Sequence, residues 1–383
     1  MRATEEKKLI AASVMEYFAR VPDPRVKRTR AHPLVNILVI ALLAVMCGAD
    51  SFTTIEEFGR IKKKFLATFL DLENGIPSHD TFGRVLSLLD PLKLQDAFRQ
   101  WVAELVQLTK GEVIAIDGKT LRRSFREAGS KAFVHMVSAW ATHNRVVLGQ
   151  VKTDEKSNEI TAIPKLLEML QIKGAVVTID AMGCQKDIAD RIVAGGADYL
   201  LAVKNNQPTL HADIVALFDQ AKREETLHTM GFFETRDRGH GREEIRRGWT
   251  CTRFDSVRGR EDWTSLSTVV QIESERTVGD KTSIERRHYI SSRKNLGAHE
   301  ALQMARSHWG IENELHWVLD VAFREDDCRV RAGNAAENFA VLRHITLNLL
   351  KHANCTRGIK TRRLKAGWDN DFLLETLCNP AAQ

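Results

Sequence analysis

The sequence lacks the motifs that would place it in several common protein classes. Its six cysteines are too far apart for a CxxC metal or redox motif, and they do not suggest a disulfide framework. No histidine and cysteine cluster has zinc-binding spacing, and no GxGxxG follows a strand. The segment IDGKT resembles the end of a phosphate-binding loop, but Val113 occupies the place of the required glycine. These absences argue against zinc, dinucleotide and nucleoside-triphosphate sites.

Segments typical of membrane or exported proteins are also missing. The first residues, MRATEEKKLI, contain no apolar stretch like that of a signal peptide. The strongest apolar run, LVNILVIALLAVMCGA at 34–49, contains Asn36 and is shorter than the about 20 residues that a spanning helix needs. We therefore predict a buried core helix there, no membrane partner, and a cytoplasmic protein whose thiols are reduced.

Charge of one sign is only slightly in excess. The 383 residues contain 56 Lys and Arg against 50 Asp and Glu, a net charge of +6. So small an excess does not by itself indicate nucleic-acid binding, which depends on where the charges lie. The length predicts two or three domains, and 43% hydrophobic residues are typical of a globular protein.

The pattern of the chain changes near residue 106. Residues 1–105 are predicted to form a helical N-terminal domain, with Ser78 as the N-cap of one helix. From Glu112 three strand-like segments form a meander, with a turn at His143 and Asn144, and helices then alternate with strands. A Rossmann sheet would alternate from its first strand. For 106–383 we therefore predict an α/β fold with a ribonuclease-H-like mixed sheet and a β-rich insertion at about 228–291.

Two aspartates are placed at the ends of apolar, β-branched strands. Asp117 ends EVIAID, and Asp180 ends VVTID. A carboxylate beside a buried strand is costly unless something compensates its charge. Two such groups on one sheet can converge on Mg²⁺ or Mn²⁺, which prefer oxygen ligands. The alternative for each is that it caps the turn that follows.

A third carboxylate is needed, and Glu312 is the best placed. His308, Glu312, His316 and Leu319 have helical spacing and are predicted to share one face. The competitor is the acidic turn, Glu325–Asp327, which lies among arginines and is expected to be a solvated, salt-bridged turn.

Several motifs together resemble a known family. They are IDGKTLRRS, VVTIDAMGCQKDIADRIV, GADYLLAVKNNQPTL, HYISS and SHWGIENELHWVLDVAFREDD, with DPRVKRTRAHPL and PSHDTFGRV near the N-terminus. The sequence is thereby similar to the H-repeat-associated group of insertion-sequence transposases, which carry an Asp-Asp-Glu triad on a ribonuclease-H-like fold. The resemblance implies that Asp117, Asp180 and Glu312 are the triad, and that the N-terminal helices are the group's associated domain.

The helix of Glu312 departs from related transposases at three positions. Where relatives carry a tyrosine, an arginine and a lysine around the catalytic glutamate, this sequence has Ala305, His308 and Leu319. We hypothesise that His308 and His316 replace the missing cations beside phosphate, because a nearby anion favours the charged form of histidine. For His316 the alternative is a hydrogen-bonded core residue.

Basic side chains are candidates for gripping the DNA backbone. One N-terminal patch comprises Arg25, Lys27, Arg28 and Arg30. The predicted DNA-binding residues of the catalytic part are Lys119, Arg122, Arg123, Arg238, Arg242, Arg246, His308 and Trp309, the last as a platform on which an extruded base stacks. Each group is also compatible with an ordinary solvated surface, and that alternative stays open.

The sequence thus predicts a transposase that cuts and joins DNA with two divalent ions, Mg²⁺ or Mn²⁺. Its expected partners are the terminal inverted repeats, target DNA and a second copy of the chain, because two transposon ends must be paired. Two alternatives remain: a metal-dependent nuclease of the same fold that does not transfer strands, and an inactive relative that only binds the ends.

Overall fold

The computed structural model describes residues 14–106, 108–122, 133–153, 159–239 and 241–378. In these ranges the chain is helical before its first strand. The helices of this part are α1 (Val14–Ala19), α2 (Leu34–Met46), α3 (Phe52–Ile61), α4 (Lys63–Leu66), α5 (His79–Leu88) and α6 (Pro91–Leu105).

The apolar run of the sequence forms α2, and the prediction of a buried core helix is confirmed. Every residue of α2 except Val35 is buried, which is why a helix apolar on all sides is stable here. Ser78 caps α5 as predicted, since its hydroxyl accepts a hydrogen bond from the Thr81 amide. Helix α2 packs against a long helix near the C-terminus, α12 (Ala335–His352), so the two ends of the chain share one core.

One nine-stranded mixed sheet forms the centre of the molecule, in the order β3-β2-β1-β4-β5-β9-β8-β7-β6. Strands β1 to β3 form an antiparallel meander, β4 and β5 run parallel to β1, and β9 returns antiparallel to β5. The strands are β1 (Val113–Leu121), β2 (Val134–Ala141), β3 (Val146–Lys152), β4 (Val176–Ile179), β5 (Asp198–Val203), β6 (Gly231–Gly239), β7 (Arg242–Cys251), β8 (Thr268–Val278) and β9 (Lys281–Ser291).

Two features of the sheet differ from a simple interpretation of the sequence. Strand β1 does not end at Asp117 but continues through Gly118 to Leu121, because β2 pairs with it along that length. The β-rich segment predicted at about 228–291 forms β6 to β9, which we call the outer sheet. It extends the central sheet instead of forming a separate one, since β9 is hydrogen-bonded to β5.

The remaining helices flank the sheet and close the C-terminal part. They are α7 (Glu159–Met169), α8 (Lys186–Ala194), α9 (Pro208–Arg223), α10 (Ala298–Gly310), α11 (Trp317–Phe323), α12, α13 (Ile359–Trp368) and α14 (Asn370–Cys378). A π-helical segment, Ile311–His316, joins α10 to α11. Within the described ranges, no helix combines the length and the apolar character needed to cross a membrane.

Candidate active site

The parallel pairing of β1 and β4 places the two predicted aspartates side by side. Ile116 is the register partner of Ile179, so Asp117 and Asp180 are the next residues along two neighbouring strands. Adjacent strands lie about 4.8 Å apart, which brings the two residues to the same edge of the sheet. The sequence prediction that these aspartates share a site therefore has a direct cause in the register.

Asp180 also caps a turn, as the alternative interpretation expected. Its Oδ1 accepts hydrogen bonds from the amides of Met182, at 3.0 Å, and Gly183, at 3.4 Å. A side chain at Gly183 would overlap Ile179, so glycine is needed to let the turn close over the strand. Both hydrogen bonds use one oxygen, and the other carboxylate oxygen is left for a further ligand.

The third predicted carboxylate, Glu312, comes from the π-helical segment. Glu312 is exposed and borders a cavity of about 740 Å³ that Asp180 also lines. Segments of π-helix are rare and occur frequently at functional sites. Here the segment interrupts the regular helix on which the prediction of one shared face was based.

Burial and neighbouring charges act on two of the three predicted acids. Burial raises the pKa of Asp117 to about 7, although a hydrogen bond from the Gly118 amide opposes the shift. Three nearby carboxylates also raise this pKa, those of Glu159, Asp180 and Glu312. Burial likewise raises the pKa of Glu312; Asp180 adds to the increase and a neighbouring arginine opposes it. We call Asp117, Asp180 and Glu312 the carboxylate site.

The two histidines of the Glu312 helix face the protein interior. His316 Nδ1 lies 3.5 Å from Asp117 Oδ2, and His308 Nδ1 lies 3.0 Å from the Thr178 hydroxyl. Burial lowers the pKa of His308 to about 4 and that of His316 to about 3. Burial thus disfavours the charged form of both histidines in the DNA-free protein, and the hypothesis that they become cations beside DNA phosphate stays a prediction.

Lys119 is not the free cation that the sequence suggested. Its side chain is 10% exposed, and its Nζ lies 2.7 Å from Asp320, 3.2 Å from Asp326 and 3.5 Å from Glu325. Arg122 is exposed, and its Nε lies 3.2 Å from Asp326. The third cation of this group, Arg123, lies outside the described residues.

The acidic turn is therefore buried at one end instead of being solvated throughout. The Glu325 side chain is only 2% exposed and lies 3.3 Å from Arg343 as well as near Lys119. A buried carboxylate needs such partners because desolvation is expensive. The turn thus connects β1, just after Asp117, with the chain that follows the Glu312 helix.

The arginines of the outer sheet are mostly paired with acids on the same or neighbouring strands. Arg238 lies 3.3 Å from Glu243, and Arg242 lies 3.5 Å from Glu244. Arg246 contacts Glu244 and lies 2.6 Å from Asp237. These pairs explain the arginines structurally, and their predicted role in DNA binding stays a prediction.

In the N-terminal patch two of the four cations make hydrogen bonds within the loop, and the other two are exposed. Arg25 is buried and donates to Asp23 and to the His32 carbonyl, and Arg30 donates to the Arg25 carbonyl. Lys27 and Arg28 are exposed. Arg25 and Arg30 therefore hold the loop in shape through their hydrogen bonds.

The sequence did not single out Arg287, although it lines the cavity beside Glu312. Its guanidinium lies 4.5 Å above the ring of Trp309, which is 39% exposed at the cavity. A cation on an aromatic face is a stabilising contact. Only its place just before the HYISS motif could have pointed to this residue.

Comparison with known proteins matches most of the chain to two family models. The family described as "Transposase DDE domain" matches residues 108–349, and the family described as "DDE_Tnp_1-associated" matches residues 15–102. A solved piggyBac transposase synaptic complex with hairpin DNA aligns at a TM-score of 0.39 and 11% identity, over 98% of this chain and 83% of that chain. At that level of likeness nothing follows for this chain.

Two relatives from Escherichia coli (strain K12) are similar along nearly their whole length. YbfL is 41% identical over 370 residues, and "H repeat-associated putative transposase YhhI" is 40% identical over 370 residues. Each alignment covers 95% of this chain and 97% of the relative. With the matched families, these similarities show that the chain belongs to the H-repeat-associated group of DDE transposases.

Proposed function

We propose that this transposase cleaves DNA and joins the cut end to a new site, with Asp117, Asp180 and Glu312 as its catalytic residues and Mg²⁺ or Mn²⁺ as its cofactor. The observation that carries the proposal is the carboxylate site itself. It lies at the edge of a buried sheet, where burial and the neighbouring carboxylates raise the pKa of Asp117. Such uncompensated negative charge is typical of a functional site.

The donor set fits a divalent ion of this kind. Carboxylate oxygens are the ligands that Mg²⁺ and Mn²⁺ prefer. Within the described part of the chain no lysine or arginine pairs with Asp117, so its charge is left for an external cation. No three acidic, histidine or cysteine side chains there already form a group that could hold a metal. The proposal therefore requires the carboxylates to converge when the ion binds.

Each residue has a distinct part in the proposed reaction. Bound ions of this kind activate an attacking oxygen and stabilise a leaving oxygen at phosphorus. Asp117 presents its carboxylate from β1 and Asp180 from the end of β4, while Glu312 approaches from the π-helical segment. Neutral His316, with its Nδ1 3.5 Å from Asp117 Oδ2, lies beside that carboxylate without adding positive charge.

The chemistry has two steps. First the oxygen of water bonds to phosphorus and the bond to the 3′ oxygen breaks, which leaves a 3′-hydroxyl and a 5′-phosphate. Then that 3′-hydroxyl attacks a phosphodiester of target DNA and displaces its 3′ oxygen. Both steps are displacements at phosphorus, so one set of carboxylates serves both.

We also propose the finer features of fold and assembly. The order β3-β2-β1-β4-β5, a meander followed by parallel strands, supports a ribonuclease-H-like catalytic domain at 106–383. The helices before β1 support a DNA-binding N-terminal domain at 1–105. We propose that two copies pair the two element ends in the cytoplasm, and that the outer sheet and the cavity at Trp309 contact DNA.

A single assay separates the proposal from its alternatives. Purified protein is incubated with labelled DNA that carries both element ends and with a target plasmid, in Mg²⁺, in Mn²⁺ or in EDTA. We expect cut and joined products with either metal and neither product in EDTA. Cut products alone would indicate a nuclease, and binding without either product would indicate an inactive relative.

A further inference from the structure

The central sheet has two edge strands, and they differ in how they meet solvent. Strand β3 packs against α6, α7 and α12, and six of its seven residues are buried. At the opposite edge, β6 has a strand neighbour on one side only in the described part of the chain, and that neighbour is β7. Alternate N–H and C=O groups of such an edge point away from the sheet, where they can pair with another strand.

Strand β6 lacks the features that usually protect an edge from pairing. It has nine residues, more than the about five or six of a typical strand, and it pairs with β7 from Gly231 to Gly239 without a bulge. Its sequence, GFFETRDRG, contains neither proline nor lysine, and its two acids balance its two arginines. Net charge on the strand therefore does not repel a second copy of it.

The order of charges along β6 is complementary to itself. Two antiparallel copies centred on Thr235 would place Glu234 of each copy opposite Arg236 of the other. Residues directly opposite each other interact, so this register gives two pairs of opposite charge and no pair of like charge directly opposite. Within one copy Glu234 Oε1 lies 2.9 Å from Arg236 Nε, which shows that both side chains already lie on the same face of the strand.

Two further side chains of β6 would gain partners in the same register. The Thr235 hydroxyl is buried and has no hydrogen-bond partner in the described part of the chain; at the centre of the pairing it would face the same hydroxyl of the second copy. Phe232 is 52% exposed and would lie opposite Arg238 of the second copy, a cation that can cover its ring. The register that pairs the charges thus also serves an unpaired hydroxyl and an exposed ring.

We infer that two copies of this chain associate through β6, edge to edge and antiparallel, so that their two nine-stranded sheets form one continuous sheet. Backbone hydrogen bonds between the two edges provide the affinity, and the order of charges sets the register. The inference rests on the proposed function only in that two copies are expected to act together, and it names the surface between them. This association requires neither DNA nor a metal ion.

Charge reversal at two positions of the full-length protein tests the register. E234R places an arginine opposite Arg236 of the second copy, and R236E places a glutamate opposite Glu234. Each variant alone should raise the dissociation constant of the dimer by about 10- to 100-fold, since two attractive pairs become repulsive. An equal mixture of the two variants should dimerise as the wild type does, because every pair is then of opposite charge. Sedimentation velocity without DNA, over a range of protein concentrations, measures these effects.

The matched control is E285R. Glu285 lies 2.8 Å from Arg287 two positions along β9, as Glu234 does from its own neighbour on β6, but β9 has strand neighbours on both sides. The same reversal of charge away from the edge should leave the dissociation constant unchanged. Arg247, another partner of Glu234, keeps two further acids in E234R, so we expect that variant to fold. Circular dichroism checks the fold of each variant.

Cysteine cross-linking tests the same pairing without changing charge. Thr235 would lie opposite itself, with the two Cα atoms about 4.5–5.5 Å apart, which a disulfide can span. T235C should therefore form a covalent dimer under mild oxidation. In this register Arg238 would lie about 20 Å from its own copy, so R238C should not form one, and neither should the wild type with its native cysteines.

The outcomes separate this inference from the proposed function. A wild type that is monomeric without DNA, or a dimer that E234R and R236E leave intact, would overturn the inference alone, since two copies can still meet on DNA through another surface. Loss of the dimer in both variants without recovery in their mixture would also overturn it, because the effect would not come from paired charges. A normal dimer that gives neither cut nor joined products would count against the proposed reaction and not against the surface.

Discussion

The carboxylate site and the outer sheet both contain many charged side chains, but they arrange them in opposite ways. In the outer sheet acids and arginines alternate across strands, as where Arg247 lies 2.8 Å from both Glu234 and Glu275. At the carboxylate site acids lie beside acids, and the pKa of Asp117 is raised by burial and by its neighbours. The outer sheet is largely neutralised within the chain, whereas among the described residues no lysine or arginine pairs with Asp117.

The two regions differ in whether their charged side chains have partners of opposite charge. Exposed ion pairs contribute only about 0–1 kcal/mol each, so a run of arginines is easily explained by pairing on the surface. Buried like charges have no such explanation, because they destabilise the fold unless something binds them. Uncompensated charge is therefore the better guide to a site than the number of charged residues.

The largest effect is expected when charge is removed at the carboxylate site. D117N, D180N and E312Q should each reduce cleavage by on the order of 10³-fold or more while DNA-end binding is retained, because affinity comes mainly from basic residues. Cleavage assays and gel-shift titrations measure the two effects. D187N, an exposed change on α8, is the control. Normal cleavage by E312Q would remove Glu312 from the site.

The acidic turn tests the opposite case, a buried acid that has partners. E325Q leaves Lys119 and Arg343 without their buried carboxylate, and we expect a loss of about 3–5 kcal/mol in the free energy of unfolding. Urea denaturation measures the loss, with D327N in the same turn as the exposed control. Cleavage per folded molecule should remain within a few-fold of the wild type. If E325Q abolished cleavage without any loss of stability, the turn would belong to the active site.

A smaller effect is expected in the outer sheet. If its arginines exchange their acidic partners for phosphates, binding should weaken with salt at a slope of about −0.9 per contact. R242Q/R246Q should then flatten the log–log slope by about 1.8, since two contacts are lost. R191Q/R258Q removes the same charge elsewhere and should leave the slope unchanged. Equal slopes for both variants would mean that DNA does not lie on this part of the sheet.

The smallest effect concerns His308. Because burial lowers the pKa of His308 to about 4, the side chain is neutral throughout pH 6–8, and H308Q should not change the shape of the cleavage profile in that range. The unfolded chain has the ordinary histidine pKa of about 6.5, so it binds more protons than the folded protein at intermediate pH. The histidine should thus make the wild type lose stability as pH falls from 6.5 to 4.

Denaturation curves for the two proteins at several pH values test this. H308Q should lose less stability over that range, since glutamine does not titrate. An H308Q defect in cleavage that increases from pH 6 to pH 8 would instead restore the hypothesis of a charged histidine.

The sequence pattern was enough to predict the strands that precede Asp117 and Asp180 and a helix around Glu312. The β-branched strands before Asp117 and Asp180 indicated a sheet, and the register of β1 and β4 then brings the two residues together. The spacing of apolar residues also indicated a helix around Glu312. The π-helical segment was not predictable, because it has no distinct periodicity in the sequence.

Contacts between residues far apart in the sequence determine which of the candidate side chains are already paired or buried. Lys119 is bound by Asp320, about 200 positions later in the chain, so no inspection of IDGKT could show that it is already paired. Glu159 follows a third strand, and only the fold brings it to Gly118. Burial of His308 against Thr178 likewise depends on how α10 packs on the sheet. Solvation and pairing are properties of the folded chain, and they determine which candidates are free to act.

The outer sheet is hydrogen-bonded to β5, the strand beside β4 and Asp180, so the distance from the carboxylates to its far end is fixed by strand length. Strand β9 pairs with β5 only through His288–Ser291, and the preceding residues from Lys281 project beyond the end of β5, on the edge where Asp180 follows β4. At about 3.3 Å per residue this projection reaches roughly 23 Å, the length of about seven base pairs of DNA. A duplex held at its tip would meet the carboxylates at an offset set by strand length, so removing two residues from each strand would move the cut by about two base pairs.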